Sequence, residues 1–229
     1  MMDRITAVMK RETPEYVFLE LAKKEKEIIQ KKILFKNFVK LLENSSEISE
    51  KSITIGKLPY GYYNGSICED GFKIIVSIPS KVFLFQYYED AYVIPFPRLV
   101  FYFSYQDGKM ITAKCFASKD EVLMDQSKLY HYPFGNVYLD GKICFGGNSI
   151  PKCFSLSEID EVIKIFYGTP SNNDLWYMKY CKDKYTGLRA FIEELNGKEF
   201  FPEETLLECH KTVGDLLKEY KIINGKRNN

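Results

Sequence analysis

The chain contains no C-x-x-C pair and has only two histidines, His131 and His210, in 229 residues. Its six cysteines, Cys68, Cys115, Cys144, Cys153, Cys181 and Cys209, are scattered singly. A zinc site needs clustered thiolates and imidazoles, so neither a metal nor a cofactor is expected. Neither sign of charge is in excess, with 32 basic and 31 acidic side chains. Without a basic field, nucleic acid is not implied as the partner. No stretch approaches the roughly 18 apolar residues of a membrane span, and no apolar signal-peptide run opens the chain. The expectation is a cytoplasmic protein, free of membrane, whose cysteines are mostly core thiols. No internal repeat and no composition break demands two domains.

Aromatic residues, by contrast, are abundant: 17 Tyr and 17 Phe against one Trp. That bias favours a sheet-rich core, and the length is enough for one domain plus an extension. Ile5–Met9 and Tyr16–Leu19 are β-prone runs separated by Pro14, so residues 1–32 read as an N-terminal β-hairpin extension. A helix from Pro14 through the good helix formers of 15–30 is the rival. Leu34, Phe35, Phe38, Val39, Leu41 and Leu42 recur at helical spacing, predicting a helix over 33–44.

From 52 to 117 strand follows strand. Ile53–Ile55, Phe72–Ile78, Val82–Phe85, Leu99–Tyr105 and Met110–Phe116 are strand signals, the last two joined at Asp107-Gly108. Pro59–Gly65 reads as a Tyr/Gly-rich turn region, holding Cys68 close by. Short turns between successive strands predict an antiparallel meander. Ser155 to Glu158 offers an N-cap and acidic first turn for a helix over 156–167 with Ile159, Val162, Ile163 and Phe166 inward. Leu188–Leu195 reads as a helix ending at Asn196-Gly197. A last helix is expected from Pro202, broken near Thr212–Gly214, with Cys209 close to it. Residues 221–229 read as a disordered tail. The fold class is α+β: an antiparallel β-meander flanked by helices, with an N-terminal β extension.

The stretch Tyr130–Gly147 combines aromatics with four glycines and no helical or strand period, which reads as an ordered, site-bearing loop. Within it, Asn136-Val137 is followed by Gly141 and then Ile143-Cys144-Phe145. This spacing resembles the active-site segment of ubiquitin-conjugating enzymes, where His-Pro-Asn precedes a catalytic cysteine. The order Pro133-Phe134-x-Asn136-Val137-Tyr138-x-x-Gly141-x-x-Cys144-x-Gly146 is more similar still to PRTRC system protein B, a bacterial branch of that UBC-like fold. Tyr92–Phe101 also resembles the Tyr-Pro-Phe…Pro…Val-x-Phe segment entering the last meander strands of conjugating enzymes, and equally suits a Pro-rich edge connection. The resemblance covers about residues 33–217, within a UBC-like domain at 33–220.

A thiolate is the strongest common nucleophile near neutral pH. The resemblance implies that Cys144 accepts a ubiquitin-like modifier as a thioester from a ThiF-type activating enzyme and passes it to an amine. It also implies a JAB-type metallopeptidase in the same system. Asn136 then supports the oxyanion or, by an Asx turn, the loop itself, and both readings stay open. The sequence departs from the pattern in two places. Phe134-Gly135 stands where His-Pro is found, and loop 169–174 lacks the histidine expected of PRTRC-type members. The resemblance implies that this loop lies beside Cys144, so Asp174 and Asn172 remain as auxiliary candidates, with His131 more as a loop-packing residue. Two rival readings are a non-catalytic UBC-like scaffold and a thiol-dependent redox or hydrolase protein.

Overall fold

The computed structural model of the chain describes residues 2–9, 15–23, 28–39, 57–68, 70–176 and 185–222. The chain forms two compact units, Met1–Ile53 and Thr54–Asn229. In the first, β1 (Met2–Met9), β2 (Tyr16–Lys23) and β3 (Ile28–Leu34) form an antiparallel sheet in the order β1-β2-β3. The aromatic and branched residues of 16–19 therefore lie in a strand rather than in a helix from Pro14, and a third strand joins the expected pair. Only 35–39 of the expected 33–44 helix are helical among the described residues. Residues 40–44, the Ile53–Ile55 run, Cys181 and 223–229 of the expected 221–229 tail lie outside them, whereas 221–222 end the last helix rather than starting a disordered tail.

The second unit is built on a six-stranded sheet in the order β11-β10-β9-β8-β5-β4. Its strands are β4 (Tyr62–Cys68), β5 (Gly71–Ile78), β8 (Arg98–Gln106), β9 (Lys109–Ser118), β10 (Lys128–His131) and β11 (Glu208–Thr212). β6 (Lys81–Tyr87) and β7 (Asp90–Phe96) form a separate two-stranded hairpin between β5 and β8. β5 and β8 are buried on both faces, which is why their sequences run apolar instead of alternating. On one face, Ile74, Val76, Phe101, Phe103, Cys115 and Ala117 join the main core. On the other, Ile75, Val100, Tyr102, Phe116 and Leu129 form a smaller core with Val213 and Leu216.

Among the described residues of this unit three helices accompany the sheet: α1 (Ile159–Gly168), α2 (Leu188–Leu195) and α3 (Val213–Ile222). A 3-10 turn, Leu156–Glu158, leads into α1. There the Glu158 carboxylate accepts the backbone N–H groups of Phe154 at 2.6 Å and Ser155 at 2.8 Å. α1 buries Ile159, Val162, Ile163 and Phe166 against the main core, the periodic stripe of an amphipathic helix. Mixed helices and antiparallel strands make the architecture α+β, the expected class. Among the described residues no helix is long and apolar enough to cross a membrane.

Several elements differ from the sequence expectations. The turn region at 59–65 gives way to β4, so Cys68 ends a strand. Pro95 lies inside β7, opposite Val82. Proline is tolerated there because, among the described residues, β7 pairs with no strand besides β6, and its outer edge is met instead by the α2 terminus. Val93 N–H donates to Asn196 Oδ1, and Gly197 N–H donates to Val93 C=O. Arg98 leads into a central strand, and β9 and β10 still intervene before the cysteine. The last helix begins at Val213, not after Pro202. Residues 208–212 extend the sheet instead, and Cys209 lies in that strand. Thr212 and Asp215 then cap α3 reciprocally: Thr212 N–H donates to Asp215 Oδ2 at 3.0 Å, and Asp215 N–H to Thr212 Oγ1 at 3.3 Å.

Candidate active site: the cysteine turn

The segment around Cys144 is anchored from below by Phe134. Its fully buried ring packs on Phe96 at 4.9 Å, Phe85 at 5.0 Å and Phe191 at 5.8 Å. Gly135 follows because nothing larger fits: a Cβ there would lie 2.5 Å from Ser171 Oγ and 2.6 Å from Asn172 C=O. The Phe-Gly pair in place of His-Pro thus fixes the loop by apolar packing and close backbone approach.

From Asn136 to Cys144 the backbone makes a small hairpin of its own. Val137 bridges Ile143, Tyr138 N–H donates to Lys142 C=O at 2.8 Å, and Cys144 N–H donates to Asn136 C=O at 2.8 Å. Gly141 turns the chain with φ +87, and the ring of Phe116 fills the space that a Cβ would need. The hairpin lies on β9 beyond the end of β10. Cys115 N–H donates to Gly141 C=O at 2.8 Å and Ile143 N–H to Ala113 C=O at 2.9 Å. Periodicity across the whole stretch hides this arrangement, because only its short halves are extended.

The Cys144 side chain is half-buried. Beyond it, Cβ atoms built on Gly146 and Gly147 would meet nothing within 4 Å, so the space on that side is open. Asn148 then closes the turn. Its side-chain amide donates to Phe145 C=O and to Thr169 Oγ1, both at 2.9 Å. Thr169 Oγ1 in turn donates to Ile165 C=O at the end of α1. Asn136 reaches the same segment: its Nδ2 donates to the carbonyls of Thr169 at 3.3 Å and Pro170 at 3.0 Å. Asn136 itself has φ +67, a left-handed conformation that asparagine tolerates better than most residues. Two asparagines on either side of Cys144 therefore hold it to Thr169-Pro170.

Loop 169–174 also joins the β6–β7 hairpin, with Ser171 bridging Tyr87 in parallel and Tyr87 Oη donating to Asn173 Oδ1 at 2.8 Å. The two auxiliary candidates in this loop bond to each other. Asn172 Nδ2 donates to Asp174 Oδ2, and Asp174 N–H donates to Asn172 Oδ1. Trp176, the single tryptophan, donates from its indole to Pro133 C=O at 3.2 Å. His131 is not in the turn. It ends β10 opposite Phe116, and its backbone N–H donates to Leu207 C=O. Burial and the nearby His210 hold its imidazole below the usual histidine range. Of these contacts, Asn148, Thr169 and Trp176 carry no local motif that would single them out.

The other described thiols are less accessible to chemistry. Cys115 and Cys153 are buried, and burial pushes both thiols up. Cys209 is half-buried in β11, also pushed up by burial, with its thiol directed at Leu129 C=O.

No curated protein and no solved structure matches the chain. One family model does, described as prokaryotic E2 family D, over residues 73–209. That span is more than half of the chain and runs from β5 through the cysteine turn, Thr169 and α2 into β11. The chain belongs to prokaryotic E2 family D.

Proposed function

We propose that the protein is a conjugating enzyme of the E2 type, with Cys144 as its carrier nucleophile, and that it is akin to PRTRC system protein B. The observation that carries this reading is the setting of Cys144. Its backbone is fixed by hydrogen bonds, its side chain is only half-buried, and the glycines that follow it, Gly146-Gly147, have open space where side chains would stand. A pinned, approachable thiol of this kind suits transfer between large protein partners. The Cys144 thiolate adds to the thioester carbonyl of a ubiquitin-like modifier held by a ThiF-type activating enzyme. A new C–S bond forms, the old one breaks, and the donor leaves as its thiol. An amine then attacks the new thioester and releases Cys144. A JAB-type metallopeptidase of the same system would reverse or process the conjugate. Asn136 holds the turn to Thr169-Pro170, the alternative of the two roles that its contacts favour.

A second reading is a non-catalytic scaffold that binds the modifier. The commitment of the Asn136 amide to two carbonyls, and the lack of a histidine in 169–174, favour it. A non-reducing gel with ATP, a ThiF-type enzyme and a ubiquitin-like protein from the same organism separates the two. The carrier reading expects a thiol-sensitive adduct that is absent in Cys144→Ala and becomes thiol-resistant in Cys144→Ser. An adduct that survives Cys144→Ala overturns it. No adduct with a verifiably charged activating enzyme selects the scaffold.

A further inference from the structure

Burial alternates along the second arm of the cysteine hairpin: Gly141 is buried, Lys142 exposed, Ile143 buried and Cys144 half-buried. The arm is extended, with Lys142 bridging Lys114 and Ile143 bridging Val137. In extended backbone, residues i and i+2 project to the same side, with Cα atoms roughly 7 Å apart. Lys142 and Cys144 therefore share the outward face while Ile143 points into the core. The Lys142 backbone is itself held, its N–H donating to Asp140 Oδ1 at 3.0 Å. Its ammonium pairs with no carboxylate among the described residues. The lysine opposite it, Lys114, is occupied by Glu219 at 2.7 Å.

We propose that Lys142 is a self-modification site: the amine takes the acyl group carried on Cys144 within the same molecule. This rests on the thioester reading of Cys144. The neutral Nζ adds to the thioester carbonyl, the C–N bond forms, the C–S bond breaks, and Cys144 leaves as a thiolate. The proton lost by the amine passes to solvent. The product is an amide on Lys142 beside a free Cys144. A four-carbon side chain fixed two residues away gives the amine a high effective concentration, so the transfer competes with external acceptors. The charged protein, left without another amine, ends as its own substrate.

The test uses a chemical donor, the 2-mercaptoethanesulfonate thioester of acetyl-diglycine, which charges thiols by exchange without any partner protein. Intact mass before and after dithiothreitol, followed by peptide mapping, reads the labile and resistant adducts. Wild type is expected to convert a labile Cys144 adduct to a resistant Lys142 adduct, at a rate independent of protein concentration. Lys142→Arg should keep the labile adduct and lose roughly tenfold or more of the resistant one. Lys152→Arg, on another exposed lysine, should match wild type, and Cys144→Ala should leave Lys142 at background. Labile charging of Cys144 with no resistant adduct, or with one that maps elsewhere, overturns the inference and leaves the carrier reading standing. Failure of Cys144 to take the acyl group at all overturns both.

Discussion

The side-chain amide of Asn148 donates to the hydroxyl of Thr169 across 2.9 Å, and that hydroxyl donates onward to Ile165 C=O at 2.7 Å. One hydroxyl thus couples the far side of the cysteine turn to the end of α1, while the Thr169 carbonyl receives Asn136 from the near side. Thr169→Val keeps the shape and deletes both hydroxyl bonds. A net loss of about 1 kcal/mol is expected, with part of it from the donor left on Asn148. Denaturant melts measure the loss. Hydrogen exchange should show faster opening at 144–148 than in β8, and equal protection in both would refute the coupling.

Asn136 makes the corresponding prediction on the other side. Its amide is committed to Thr169 and Pro170, so Asn136→Ala should lower charging of Cys144 and amine transfer together. It should also lower stability by about 1–3 kcal/mol, through the lost bonds and the left-handed backbone. Asn136→Gly relieves the backbone part only and should be the milder change. Single-turnover discharge onto free lysine beside a thermal melt reads both. Selective loss of discharge with an unchanged melt would instead assign Asn136 to the oxyanion.

What the sequence made legible follows from how local each signal is. Leu188–Leu195 ends at Asn196-Gly197 as its periodicity predicts, and α1 follows its apolar stripe, because each signal sits within one element. β8 and β9 are equally clear, since a tight turn and two apolar runs suffice. β7 was hidden by Pro95, whose place on an edge strand goes with the bond from Val93 to Asn196, 103 residues on. β11 was hidden because Glu208–Thr212 is polar and half-exposed, and β10 alone makes it a strand. The cysteine frame was readable as a motif. The resemblance set loop 169–174 beside it, but the attachment through Thr169 was not readable, since one threonine in a polar loop carries no signal until α1 brings it back to Asn136 and Asn148.

Glycine substitutions should separate packing from openness. At Gly135 a methyl group would overlap Ser171 Oγ and the Asn172 carbonyl. Gly135→Ala should therefore cost roughly 1–3 kcal/mol, with the loop moving away from Phe134. At Gly147 a methyl group meets nothing within 4 Å. Gly147→Ala should then alter stability by under about 0.5 kcal/mol. Its effect should appear as slower reaction of Cys144 with bulky acyl donors. Equal destabilisation by the two would contradict the packing described around Gly135.

Acid should weaken the start of α3 in a defined window. The Lys218 ammonium, and then the N–H and hydroxyl of Thr212, hold the Asp215 carboxyl down to about 2. A carboxyl near 3.9 in the unfolded chain and lower when folded contributes stability that is complete above the unfolded value. That contribution fades as pH falls through the folded value. Wild type should therefore melt above Asp215→Asn at about pH 5, and the two should converge towards pH 2. A gap that stays constant across this range would remove the charge from the cap.

Cys144 should react first among Cys115, Cys144, Cys153 and Cys209. Thiol reactivity needs both thiolate and access. Cys115 and Cys153 are buried, at 0% and 1% exposure, and burial raises both thiols away from the thiolate. Cys209 is partly covered, raised by burial, and directs its thiol at a strand carbonyl. Cys153 follows an exposed lysine, Lys152, as Cys144 closely follows Lys142, so neighbouring charge alone would rank the two alike. Burial is what separates them, because Cys153 sits in the main core while Cys144 is half-buried and is followed by Gly146-Gly147, where a Cβ would meet nothing within 4 Å. Brief iodoacetamide labelling of the native protein, followed by peptide mass mapping, should place Cys144 ahead of the other three by about tenfold or more. In Cys153→Ala the Cys144 rate should be unchanged. Cys153 labelling as fast as Cys144 in the folded protein would show that the core opens more readily than its packing implies, and Cys144 would lose its claim to be the accessible nucleophile.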